Sequence, residues 1–137
     1  MKQFVLVVCL ILSGCAARNP SGTQPTYTYG QVARDAIVAT RAFLAKAQEN
    51  HFAECQSQCT LPTIKDQKFC RGLCNAINLT VRLHNVAVRA MDAYCVSPEW
   101  QTGGVCMGDS AKEPELKNAV DEMVKARMSA EKLGGGQ

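Results

Sequence analysis

The chain reads as an all-α protein: a long antiparallel helical hairpin stapled by disulfides, spanning about 30–59 and 63–96, followed by a third helix at about 114–133. Three observations lead there. Cys55-Gln-Ser-Gln-Cys59 and Cys70-Arg-Gly-Leu-Cys74 each hold two cysteines four apart, so on a helix both thiols of a half share one face. Cys70, Cys74, Ile77, Val81, His84, Val88, Met91 and Cys95 then step by four and three, which is a heptad seam. Aromatic residues make up only 6% of the chain and alanine is plentiful, a mix that suits closely approaching helices better than a β sandwich. At 137 residues, one helical domain (30–133) is the default.

Met1-Lys2 gives a short basic start, and Phe4 to Leu12 are nine consecutive apolar residues. A mature membrane-crossing helix needs roughly 20. The run instead matches the apolar region of a signal peptide covering residues 1–14. It ends in Leu12-Ser13-Gly14-Cys15, which resembles the lipobox of bacterial lipoproteins. That resemblance implies cleavage before Cys15, a diacylglycerol thioether on its sulfur and a fatty acyl chain such as palmitate on its new amino group. Ala16, rather than Asp, at the next position implies the outer membrane of a two-membrane host, with the protein facing the periplasm. Cys9 leaves with the leader and needs no structural role.

Residues 15–29 are rich in Pro, Ser, Gly, Thr and Gln and read as a lipidated tether. A helical pattern starts at Gly30 or Gln31. Its apolar positions are Val32, Ala33, Ala36, Ile37, Leu44, Ala47 and Phe52, with Arg34, Asp35, Arg41, Lys46 and Glu49 on the other side. Leu61-Pro62-Thr63 breaks it. Thr63 is the expected N-cap of the second helix, with Asp66 three residues on. That helix runs to Val96, before Ser97-Pro98, and at about 1.5 Å per residue would be some 50 Å long. Arg71, Asn75, Asn78, Arg82, Asn85, Arg89 and Asp92 form its solvated face. Gly72 lies inside the stapled turn.

Ser97 to Asp109 is a loop containing Pro98, Gly103, Gly104 and Gly108. Trp100 within it is expected to fold onto the hairpin as an anchor, the alternative being an exposed contact for a partner. The third helix has Pro114 in its first turn, Glu113 and Glu115 at the positive end of its dipole and Gly134 at its C-cap. Leu116, Ala119, Val120, Met123, Val124, Arg127 and Ala130 mark its buried stripe. Residues 134–137 read as a flexible tail.

Eight cysteines in so short a chain indicate an oxidising compartment. Folding the hairpin back at Pro62 brings Cys55 to Cys74 and Cys59 to Cys70, because the paired residue numbers add to the same total. Cys95 and Cys106 are then left for each other. The rival arrangement is a four-thiolate Zn²⁺ or Cu(I) site on Cys55, Cys59, Cys70 and Cys74. The even number of thiols left after Cys9 and Cys15, and the expected compartment, favour disulfides. His51 and His84 add nothing to a metal site, since they fall about 9 Å apart along the hairpin axis. From Cys55 to Cys74 the twin C-x-x-x-C pattern resembles plant α-hairpinin peptides and small chaperones of the mitochondrial intermembrane space. The resemblance implies the same connectivity and says nothing of activity.

A formal charge of +3, or +2 without Lys2, leaves no electrostatic footprint for nucleic acid. No glycine-rich phosphate loop, paired carboxylates or nucleophile with a base stands out, so neither catalysis, a cofactor nor a small-molecule substrate is expected. The expected partners are the membrane, through lipidated Cys15, and an envelope protein. The leading expectation is a structural or adaptor lipoprotein working in envelope assembly, secretion, conjugation or phage lysis. An inhibitor or immunity protein acting on a periplasmic toxin or hydrolase, and a Cu/Zn-binding protein using the hairpin cysteines, are the alternatives.

Overall fold

The computed structural model describes residues 28–134. The expected leader, Cys15, the expected tether as far as residue 27 and residues 135–137 lie outside the described part. Three antiparallel helices make up the bundle: α1 (Tyr29–Gln56), α2 (Gln67–Tyr94) and α3 (Glu113–Gly134). Two short 3-10 turns, Pro98–Thr102 and Ser110–Lys112, link α2 to α3. The fold is all-α with a disulfide-linked helical hairpin.

Each helix starts and stops for a local reason. Thr28 precedes α1 in an extended conformation, and its backbone N–H donates to Gln31 Oε1 at 3.2 Å. Thr28 and Tyr29, expected in the tether, therefore belong to the helix and its cap. α1 stops at Gln56, three residues short of the expected end. The Cys59 N–H donates to the Glu54 carbonyl at 2.9 Å and the Gln58 N–H to the Cys55 carbonyl at 3.2 Å, which is a Schellman closure. α2 is capped by Asp66, whose Oδ1 accepts from the Phe69 N–H at 2.8 Å, so Thr63 is not the N-cap. It ends at Tyr94 and is about 42 Å long.

The central helix is α2. Its expected seam is buried or half-buried from Cys70 to Cys95, and its expected polar face is exposed. A second stripe runs beside the first: Leu73, Ala76, Thr80, Leu83, Ala87, Ala90 and Tyr94, again in steps of three and four. It lets α2 pack α1 and α3 together, and α2–α3 is the most extensive helix pair. On α1 the buried line is Ala33, Ile37, Thr40, Leu44 and Ala47. Val32 and Phe52, expected in that stripe, lie off its edge and are 50% and 62% exposed.

The core runs along the bundle as three clusters. The largest lies at the end where α1 begins, with Ile37, Met91, Trp100, Leu116 and Met123 at its centre. Leu44, Ala47, Leu73 and Ile77 form a smaller one toward the hairpin turn, and Cys59, Cys70 and Cys74 close that end. Buried Thr40, Thr80 and His84 are the polar members of this interior. Thr40 and Thr80 satisfy their hydroxyls by donating to the carbonyls four residues back, Ala36 and Ala76, at 2.8 Å each.

Candidate functional site

Sulfur chemistry marks both ends of the bundle. At the hairpin turn Cys55 is bonded to Cys74 and Cys59 to Cys70, with Cα–Cα separations of 5.5 and 5.9 Å. Cys70 and Cys74 share a helical face as the four-residue spacing requires. Cys55 and Cys59 do not, because Cys59 lies beyond the end of α1. Gln58 and Cys59 adopt φ values of +53° and +62°, a left-handed step that turns the Cys59 side chain back toward α2. The two bridges are packed together, with 3.9 Å between Cys59 Sγ and Cys74 Sγ.

The sulfurs of Cys59, Cys70 and Cys74 lie within 4.8 Å of one another, the closeness a thiolate metal site needs. In a disulfide, however, none of them is a thiolate. His51 is not aimed at the cluster as a ligand: its Nδ1 is 3.0 Å from Glu54 Oε2, an imidazole N–H to carboxylate pairing on α1. The pair borders a shallow cleft of about 290 Å³ shared with Thr63, Ile64, Asp66 and Phe69. Thr63 makes no hydrogen bond to His51 or Glu54, so a hydroxyl and a base are not joined there.

At the opposite end Cys95 is bonded to Cys106, with Cα–Cα 5.1 Å. The loop between them is held by more than its bridge. The Val96 N–H donates to the Met107 carbonyl at 3.2 Å, and the Asp109 N–H donates to the Tyr94 carbonyl at 2.8 Å. Gly108 lies so close to the Tyr94 ring that a Cβ would overlap it. Trp100 is 2% exposed, and its indole N–H donates to Asp92 Oδ1 at 2.9 Å. It is an anchor, and its ring is not available as the exposed partner contact. Asp92, one of the polar-face residues, also accepts from Gln101 Nε2 at 3.1 Å and so holds the loop from outside.

The same clamp leaves Val96, Val105 and Met107 81%, 80% and 73% exposed. Sequence reasoning missed this group. Apolar residues beside a cysteine ordinarily read as core, and only the inward turn of Cys106 shows that its neighbours point out.

Two titratable groups respond to the packing. Burial lowers the His84 pKa, helped by the Arg41 charge on α1, and its Nε2 has no hydrogen-bond partner. Tyr29 is pushed up by burial first and then by the carboxylates of Asp121 and Glu113 on α3. The chain matches no protein-family model, no curated protein and no solved structure.

Proposed function

We propose that the protein is a non-catalytic lipoprotein, held through Cys15 at the periplasmic face of an outer membrane, whose bundle acts as a rigid adaptor for another envelope protein. The observation that carries the proposal is the register of Leu12-Ser13-Gly14-Cys15 directly behind nine apolar residues. Three disulfides distributed over both ends of the bundle support export to an oxidising compartment. They also suit an adaptor, which must hold its shape away from the cytoplasm. Envelope assembly, secretion or conjugation channels and phage lysis are the settings in which such an anchored post is useful.

The test is expression in a two-membrane bacterium, followed by membrane separation and intact-mass measurement. The wild-type chain is expected in the outer membrane, starting at Cys15 and carrying the added mass of a lipid anchor. Cys15→Ser is expected to lose the anchor. Mild crosslinking before extraction should link a defined envelope protein to the wild type and not to Cys15→Ser. A soluble, unacylated wild-type chain would refute the anchor. Failure to link any envelope protein to an acylated chain would refute the adaptor role.

A further inference from the structure

We infer that Val96, Val105 and Met107 form an apolar knuckle that seats the bundle on the phospholipid surface holding Cys15. The inference rests on the lipoprotein reading and deepens it.

These are the three most exposed large apolar side chains among the described residues, and all three belong to one loop. Phe52, next in exposure, lies near the hairpin turn at the other end. The knuckle is rigid, because the Cys95–Cys106 bridge, the hydrogen bond from the Val96 N–H to the Met107 carbonyl and the Tyr94–Gly108 contact hold it before anything docks. Docking therefore costs little ordering of the loop.

Its position is the one a lipid surface would meet. A Cβ on Gly30, in the first turn of α1, would lie 3.4 Å from Cys106 Sγ. The knuckle is thus beside the point where the chain enters the bundle. Thirteen residue steps separate Cys15 from Thr28. Whatever path they take, they hold that end within about 45 Å of the lipid. The hairpin turn lies about 40 Å farther along the bundle.

The chemistry favours lipid over protein. Two valines and a methionine, with no aromatic or arginine among them, lack the hot-spot residue types that carry most of the energy at protein interfaces. A patch this small would not hold a protein partner alone, but beside a covalent anchor it needs to supply only orientation. The charges nearest the loop in sequence are Glu99, Asp109, Lys112 and Glu113, and the Arg34 guanidinium of α1 reaches Gly103, so acidic groups outnumber basic ones and this is not a basic patch. The matching surface is therefore a zwitterionic phospholipid rather than an anionic one.

The experiment places p-benzoylphenylalanine at Val105 in one full-length protein and at Phe52 in another. Each is purified from membranes, checked by intact mass for acylation at Cys15, and reconstituted into phosphatidylethanolamine–phosphatidylcholine vesicles. Irradiation should add the mass of a phospholipid to the probe at 105 at least fivefold more often than to the probe at 52. Irradiation in cells should do the same. An acylated chain with no lipid adduct at 105, with equal adducts at both positions, or with a protein linked at 105 in cells overturns this proposal alone. An unacylated Cys15 overturns the anchor and the proposal together. A second probe at Val96 must agree with the first.

Discussion

At the scale of single residues, three backbone positions make opposite demands. Gly72 lies in the second turn of α2 with nothing within 4 Å of where a Cβ would go. Gly72→Ala should therefore stabilise the fold by about 0.5–1 kcal/mol, read as a higher urea midpoint at constant slope. Gly108→Ala should destabilise it by about 1–3 kcal/mol, because the new methyl would be driven into the Tyr94 ring. Gln58 occupies the left-handed position of a Schellman closure, where glycine avoids the steric cost. Gln58→Gly is expected to raise stability by up to about 1 kcal/mol in the same assay. Trp100 was legible from sequence as an anchor, since one tryptophan in a cystine-closed loop is the only large group available to hold it down. Its hydrogen bond to Asp92 was not legible, because Asp92 reads equally well as a solvated charge.

At the scale of elements, the two hairpin bridges are nested, eleven and nineteen residues apart in sequence, and each limits what the other adds. With one intact, the turn is already closed and the second removes little further chain entropy. Removing either pair by Cys→Ala should cost less than about 3 kcal/mol, and removing both should cost more than the sum of the two. Urea unfolding of the three variants measures this directly. Cys95–Cys106 shares no loop with the others, so removing it should be additive with either. The same elements show where periodicity misleads. The α2 seam was legible because eight residues keep one rhythm. The α1 seam was legible only in part: Ala33, Ile37, Leu44 and Ala47 lie on the buried line, but buried Thr40 interrupts the apolar pattern while Val32 and Phe52 supply apolar residues off it. The second α2 stripe was hidden by alanines and Thr80, which suit an exposed helix face as well as a buried one.

At the scale of the whole molecule, His84 links folding to pH. Its folded-state pKa is lowered, chiefly by burial and then by Arg41. The unfolded chain therefore takes up this proton more readily than the folded one. The contribution of neutral His84 is fully present above the ordinary histidine value of 6.5, and it is lost as pH falls from there through the folded value. The urea midpoint of the wild type should drop across that window, and His84→Gln should remove that part of the pH dependence. The bundle is also asymmetric. Its large core surrounds the loop end, where Trp100 joins one cluster with apolar residues of all three helices, while the hairpin end depends on sulfur and a few aliphatic side chains.

The residue sequence alone determined the helical class and the cysteine partners, and it holds the Leu12-Ser13-Gly14-Cys15 run on which the proposal of an anchored lipoprotein rests. Each of these depends on spacing along one chain, which a linear pattern records. Only the tertiary structure decided that α2 is the centre of a three-helix bundle, that Cys59 reaches its partner from a left-handed turn, and that Val96, Val105 and Met107 face outward. Those outcomes depend on which surfaces meet across the bundle. A small or apolar residue is compatible with either side of a helix until a neighbour covers one of them.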